Sequence, residues 1–199
     1  MIENRLKKAG RALGAPGAET TEAFMKAAAD LVDVAYSEIE SPLGTWLAAM
    51  TERGLVRIAF NPEEEDVLGE LSERISPRVL EVPARFDDLR REFDEYFDGK
   101  RRDFDIDLDW QLVDGFNRRV LKATAKIPYG KMSTYKTMAT QAGSPRAARA
   151  AGNALHNNPI PLVVPCHRVI GSNGGLVGYG GGLPMKEALL ELEGARAAD

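Results

Sequence analysis

The spacing of hydrophobic positions divides this chain into stretches of different texture. Residues 1–25 are polar with scattered glycine and alanine, and read as a tail with at most one helical turn. Between Asp33 and Phe60 the pattern becomes strand-like. Val34, Tyr36 and Ile39 lead to a Ser-Pro-Leu-Gly turn signal, and Thr45 to Met50 is apolar. Val56, Ile58 and Phe60 then alternate with Leu55, Arg57 and Ala59, the period of a half-buried strand. The intervening TERG reads as a hairpin connection, so a small antiparallel sheet is predicted. Glu64 to Ile75 reads as a helix and RVLEV as a short strand. Phe86, Leu89, Phe93 and Phe97 recur at helical spacing up to Gly99. In the acidic run DFDIDLD, alternation with Phe104, Ile106 and Leu108 favours an edge or linker strand with solvated aspartates over a metal site.

From Trp110 the period is helical. Leu112, Phe116 and Val120 form one apolar stripe, with Asp109 as the expected N-cap. IPYGK ends it. Ser133 is placed as the cap of a helix running to about Gln141, which Gly143 stops. Ser144-Pro145 reads as a restart signal for an alanine-rich helix bearing Arg146 and Arg149. Helix, glycine-containing turn, helix is the pattern of a helix-turn-helix. The segment LVVP reads as buried and extended. Seven of the twelve residues from Gly171 to Gly182 are glycine, enough for a loop that wraps closely around something flat. A last helix runs from Pro184 to Gly194. The fold class expected is α+β: a tail over 1–25, a small antiparallel-sheet domain over 26–108, and a mostly helical, winged-helix-like domain over 109–199.

Composition adds exclusions. With 44% hydrophobic and 28% charged residues, the chain is of ordinary globular type. No stretch approaches the roughly 18 apolar residues a membrane helix needs, and no secretory signal opens the chain, so a cytoplasmic protein with no membrane partner is expected. One cysteine rules out an internal disulfide, and one cysteine with two histidines makes structural zinc improbable.

The charge is unevenly spread. Residues 1–109 hold 15 basic and 25 acidic residues, whereas 110–199 hold 11 and 5. Between Gly115 and Lys186 no acidic residue occurs, while ten basic ones do: Arg118, Arg119, Lys122, Lys126, Lys131, Lys136, Arg146, Arg149, Arg168 and Lys186. Such a stretch avoids repelling a polyanion, of which nucleic acid is the commonest. The chemistry centres on Cys166, preceded by proline and followed by His167 beside the glycine-rich loop. A thiol beside a base is the minimum equipment for nucleophilic attack, and positive potential lowers a thiol pKa. Neighbours on a strand point opposite ways, so a turn or a bridging water is needed between them.

The run PCHRVIGSNGGLVGYGGGLPMKEALLELEG, with IPYGKMSTYKTMATQAGSPRAARAAGNALHNNPIPLVV before it, resembles the active-site half of the O6-alkylguanine-DNA alkyltransferases over about Phe116 to Gly194. SPLG with GLVRIAF is similar to that family's first domain. The resemblance implies that Cys166 accepts the alkyl group, with His167 (through a water), Glu193 and Asn158 completing its activating network. Tyr135 would donate to the flipped base, and Arg149 would fill the space it leaves in the duplex. Ser133 and Ala148 would join them on the DNA face. Tyr179, Pro161, Val169 and Gly180 would line the pocket. Gly180 stands where some members have serine, Asn153 where the recognition helix often has a second glycine, and the zinc-binding cysteines of some members are missing.

The expected partner is double-stranded DNA bearing O6-alkylguanine, with O4-alkylthymine a further candidate substrate. The protein would act as a monomer and without a cofactor, because the lesion supplies the alkyl group. Three other readings remain beside it. They are a recognition module of the same fold that does not react, a helix-turn-helix regulator with Cys166 as bystander, and a cysteine hydrolase.

Overall fold

The computed structural model describes residues 32–63 and 65–195. The tail expected over residues 1–25 lies outside them. From Asp33 onward the chain forms one compact unit. It begins with a four-stranded sheet: β1 (Val34–Ser41), β2 (Gly44–Thr51), β3 (Gly54–Ala59) and β4 (Val79–Glu81), in the order β3-β2-β1-β4. The first three strands are antiparallel, joined by hairpins at Pro42-Leu43 and Glu52-Arg53. The fourth runs parallel to β1, so the sheet is mixed. That pairing requires a crossover, which helix α1 (Val67–Arg74) supplies.

The half-buried strand expected for β3 is buried on both faces: Leu55, Val56, Ile58 and Ala59 are all in the core. On one face Val34, Leu47, Ala49, Val56 and Ala59 pack with Val67 and Leu71 of α1. On the other, Ile39 and Trp46 are cross-strand partners. Trp46 meets Phe93 of helix α2 (Asp87–Phe97) at 5.8 Å between ring centroids. The shorter helix boundaries follow from a local cap. Asp66 accepts a hydrogen bond from Gly69 N, so α1 starts at Val67 rather than at Glu64. The acidic run stays extended. Leu55 N donates to Asp107 O (2.8 Å) and Asp109 N to Leu55 O (2.9 Å), tying its end to β3.

The second half contains α3 (Gly115–Thr124), β5 (Ser133–Thr134), α4 (Tyr135–Gln141), α5 (Ala148–His156), β6 (Val169–Ile170) and α6 (Gly182–Leu192). Several expected caps lie elsewhere. Asp109 accepts from Thr51 and Gln111 and caps nothing, and α3 begins after Asp114. Thr134, not Ser133, caps α4, accepting from Thr137 N (3.1 Å), while Ser133 pairs with Val169 across the short parallel β5-β6 ladder. Ser144 and Pro145 form a turn instead of opening α5, which starts three residues later. Gly143 ends the preceding segment at φ +80°, as expected. α4 and α5 pack together against α3, the three-helix arrangement of a helix-turn-helix. No helix among the described residues is long and apolar enough to cross a membrane.

Gly54 joins the hairpin to the acidic run. Its φ is +126°, and a Cβ there would lie 2.1 Å from Asp107 O. Gly44, at φ +121°, has open space around it. Gly54→Ala is therefore expected to destabilise the fold by more than about 2 kcal/mol, combining strain with the lost Leu55–Asp107 approach. Gly44→Ala incurs strain alone. Urea unfolding of the two variants, with Gly54→Ala the more destabilised, checks this.

Candidate functional site

The site is built on a tight turn after α5. Asn158 Oδ1 accepts from Ile160 N (3.1 Å), and Val164 N donates to Ile160 O (2.9 Å). Pro161 and Val164 form an isolated bridge, and Leu162 between them sits at φ +71°, the sole non-glycine at positive φ among the described residues. The LVVP segment is thus a strained turn rather than an extended run. Ile58 N of β3 anchors it by donating to Pro159 O (2.7 Å). The turn delivers Cys166–Arg168 as one 3-10 turn, which lets neighbouring side chains serve different ends of one network.

Cys166 is buried, and Asn158 Nδ2 donates to its Sγ at 3.2 Å. The same amide nitrogen holds Val164 O at 2.9 Å. Burial pushes the thiol pKa up, against the downward pull of the Asn158 hydrogen bond, the Lys186 charge and backbone N–H groups. The basic half of the chain therefore does not yield a resting thiolate, as its charge alone suggested; desolvation outweighs it.

His167 is fully buried, and its Nε2 lies 2.9 Å from Glu193 Oε1. Glu193 accepts also from Tyr96 Oη (2.7 Å), from Arg168 Nη2 and Nε (2.8 and 2.9 Å) and from Gly130 N (3.2 Å). Burial opposes its ionisation, but the hydrogen bonds of His167 and Arg168 hold its carboxyl at about 2. An ionised Glu193 only accepts, so Nε2 carries the proton and Nδ1 has the free lone pair. That Nδ1 is buried without a protein partner. Burial also keeps the imidazole below its ordinary pKa, so it is neutral and able to take a proton at pH 7.

Two clefts meet at Cys166. One, of about 740 Å³, is lined by Tyr135, Ala148, Arg149, Gly152, Val177 and Tyr179. Arg149 is exposed at its rim, and Tyr135 Oη donates to Val177 O (3.1 Å). The Tyr179 hydroxyl is buried without a partner, its ring 6.4 Å from that of His167. The other cleft, of about 650 Å³, is lined by Asn158, Pro161 and Gly180. Cys166, His167, Asn158 and Glu193 are thus brought together, with Tyr135, Ala148, Arg149 and Tyr179 in the adjoining cleft. Pro161 and Gly180 face the second cleft. Ser133 and Val169 lie in the β5-β6 ladder and line neither.

Two of the ten basic residues are not available to a polyanion. Arg168 is committed to Glu193 and to Ile127 O (2.6 Å). Lys186 is fully buried, donating to Val169 O (2.7 Å) and Val177 O (3.1 Å), which pins the glycine-rich loop to β6. Tyr96, Arg168 and Lys186 are the site residues that reading the sequence missed. Arg168 and Lys186 stood in view but were counted as surface charge. Tyr96 lay off the predicted stripe of Phe86, Leu89, Phe93 and Phe97 and carried no signal of its own. No cluster of three or more His, Cys, Asp or Glu that could hold a metal occurs among the described residues.

Known proteins are similar to this chain in sequence and fold. Residues 34–110 match the ribonuclease-like domain, and residues 115–195 the DNA binding domain, of the 6-O-methylguanine DNA methyltransferases. A methylated-DNA–protein-cysteine methyltransferase of Methanosarcina barkeri is 43% identical over 158 residues, spanning 79% of this chain and 96% of that protein. One from Mycobacterium tuberculosis is 50% identical over 115 residues, 58% of this chain and 69% of its own. The crystal structure of the M. tuberculosis O6-methylguanine methyltransferase superposes with a TM-score of 0.70 at 39% identity, covering 83% of this chain and 95% of that one. A structure of the mycobacterial protein in complex with DNA gives 0.67 at 40% identity, covering 82% and 94%. This chain belongs to the O6-methylguanine-DNA methyltransferase family.

Two expectations follow from the site. Asn158→Ala removes the one side-chain donor to Sγ among the described residues, and should raise the thiol pKa by about one to two units further. The pH dependence of Cys166 modification by a small thiol reagent reads this directly. Glu193 is ionised more readily in the folded chain than at its ordinary value of 4.5. It therefore stabilises the fold above about pH 4.5, by on the order of 3 kcal/mol, and this contribution is lost as pH falls toward 2. Glu193→Gln should remove that part of the acid sensitivity. At neutral pH it should cost about 3–5 kcal/mol, because Arg168 is left buried and unpaired. Urea unfolding across that range tests both.

Proposed function

We infer that this protein repairs O6-alkylated guanine in duplex DNA by taking the alkyl group onto its own Cys166, once per molecule. The observation that carries this reading is a buried thiol held by Asn158, next to an anchored neutral imidazole, at the floor of a cleft rimmed by Arg149 and Tyr135. In duplex DNA the target carbon is inaccessible, so the nucleotide must swing out, at a cost of a few kcal/mol. Arg149, exposed at the rim, would occupy the gap, with Ala148 allowing close approach on α5. Ser133, in β5 two residues before α4, would add a contact to the same DNA face. Fixed basic side chains supply phosphate contacts that are strongly salt-dependent.

In the reaction the Sγ–carbon bond forms as the carbon–O6 bond breaks. The thiol proton passes to His167 Nδ1, through a bridging water, and Glu193 stabilises the imidazolium. Charge developing on the guanine is relieved by donation from Tyr135, whose pKa burial raises, so its hydroxyl stays protonated. For this, Tyr135 must exchange its bond to Val177 O for one to the base. The departing guanine anion takes up a proton from water as His167 gives the thiol's proton back to water, so protons balance. Tyr179 contributes an unpartnered hydroxyl to the pocket, Pro161 and Gly180 line the second cleft that meets it at Cys166, and Val169 stands behind both in the β5-β6 ladder. The thioether product is not reversed by thiol exchange, so the protein acts as a reagent. The donor is the lesion, so the balance closes without a cofactor.

We place the division of labour near residue 109, with the sheet-bearing part supporting the helical part that carries the chemistry. The working form is a monomer, since one chain holds every group the reaction uses, and the cytoplasm is the compartment that keeps a single thiol reduced.

The test is an intact-protein mass spectrum after mixing with an equimolar duplex containing O6-methylguanine, followed by peptide mapping. The Cys166 peptide should gain one methylene mass and plain guanine should remain in the DNA. Tight binding without a mass gain would instead favour a recognition module. Cys166→Ala should bind the duplex and take up nothing. Arg149→Ala should slow transfer from duplex far more than from the free modified base, and equal losses on both would remove Arg149 from flipping.

A further inference from the structure

We propose that Tyr96, on a helix of the sheet-bearing half, is a positioning residue for alkyl transfer: its hydroxyl fixes Glu193 against His167 and limits how strongly that carboxylate draws a proton onto the imidazole. This rests on the transfer reading above.

The geometry is specific. Tyr96 Oη lies 2.7 Å from Glu193 Oε1, the same oxygen that His167 Nε2 meets at 2.9 Å and Arg168 Nη2 at 2.8 Å. An oxygen shared among several donors is a weaker acceptor for each of them. Tyr96 is fully buried, and its ring contacts those of Phe97 and Phe104 (both 5.3 Å) and Tyr129 (6.0 Å). Phenylalanine would fill that volume without desolvating a hydroxyl. The polar tip therefore answers to Glu193, not to packing. Burial, and then the Glu193 charge, push the phenol pKa upward, so it stays protonated and can only donate.

The other groups facing the pair are accounted for. Arg168 is fixed between Glu193 and Ile127 O. Lys186 opposes protonation of His167, and Cys166 and Tyr179 border the imidazole. Tyr129 spends its hydroxyl on Leu192 O (3.0 Å). Tyr96 is thus the one neutral side-chain donor that competes with His167 for Oε1 among the described residues. Its removal should leave Glu193 a stronger partner for the imidazolium and make His167 easier to protonate.

The experiment is the pH profile of single-turnover methyl transfer from an O6-methylguanine duplex, for wild type and Tyr96→Phe. The acidic limb should move upward by roughly half to one pH unit. At a fixed pH on that limb the rate should fall about three- to tenfold, while the plateau at higher pH stays near wild type. A limb that superimposes on wild type overturns the proposal. So does an equal loss at every pH, which is what a purely structural role predicts. Should Tyr96→Phe not fold, 3-fluorotyrosine placed at position 96 keeps the shape and donates more strongly. It must then move the limb downward, and an unmoved limb refutes the role. A wild-type protein that takes up no methyl group overturns the parent reading, and this one with it. Transfer by wild type with an unshifted Tyr96→Phe limb overturns this one alone.

Discussion

A buried carboxylate must be matched by donors or it will not stay ionised, and Glu193 organises much of the molecule around that requirement. Its partners come from separated parts of the chain: Tyr96 on α2, Gly130 in the loop before β5, and His167 and Arg168 beside the reactive cysteine. Each brings its own element with it. Gly130 can approach because it lies at φ +68°, where an added Cβ would sit 2.9 Å from Glu193 O. The end of α6 is therefore fixed to the sheet-bearing half, to the helix-turn-helix entry loop and to the cysteine turn by one side chain.

The same arrangement fixes the chemistry. Since Glu193 holds the proton of Nε2, Nδ1 of His167 is left with the free lone pair, and the 3-10 turn sets the Cys166 and His167 side chains about 120° apart instead of on opposite faces of a strand. An aromatic path runs outward from the site. Tyr179 packs near Phe60 (5.7 Å), and Phe60 on Trp46 (4.7 Å), so the pocket wall rests on the core of the sheet. The sheet-bearing half thus meets the half that carries Cys166 through individual rings and hydrogen bonds.

Much of this was legible in the sequence, and unevenly so. The hairpins, the α2 stripe, the helix-turn-helix and the Cys166, His167, Asn158 and Glu193 set came from local patterns or from an extended motif. The boundaries were less legible because they are decided by single bonds: Thr134 rather than Ser133 reaches Thr137 N, and Asp66 rather than an earlier residue holds the start of α1. The two-sided burial of β3 was hidden because its cover, α1 included, comes from distant parts of the chain, which alternation within one strand does not report. Arg168 and Lys186 were misjudged because charge counts treat every cation as exposed. The thiol was misjudged because long-range potential is weaker than local desolvation. Tyr96 lies 97 residues from its partner, a distance no motif spans.

Burial of Cys166 has a bearing on how long an unreacted molecule lasts. Oxidants and adventitious electrophiles attack the thiolate, and access and ionisation set their rates. A thiol kept protonated, covered, and dependent on a neighbouring base that acts inside a closed site is a poor target for peroxide or for disulfide exchange. For a protein that can react only once, the raised pKa works as a safety catch. It preserves the single methyl-accepting event for an electrophile that the cleft has already positioned.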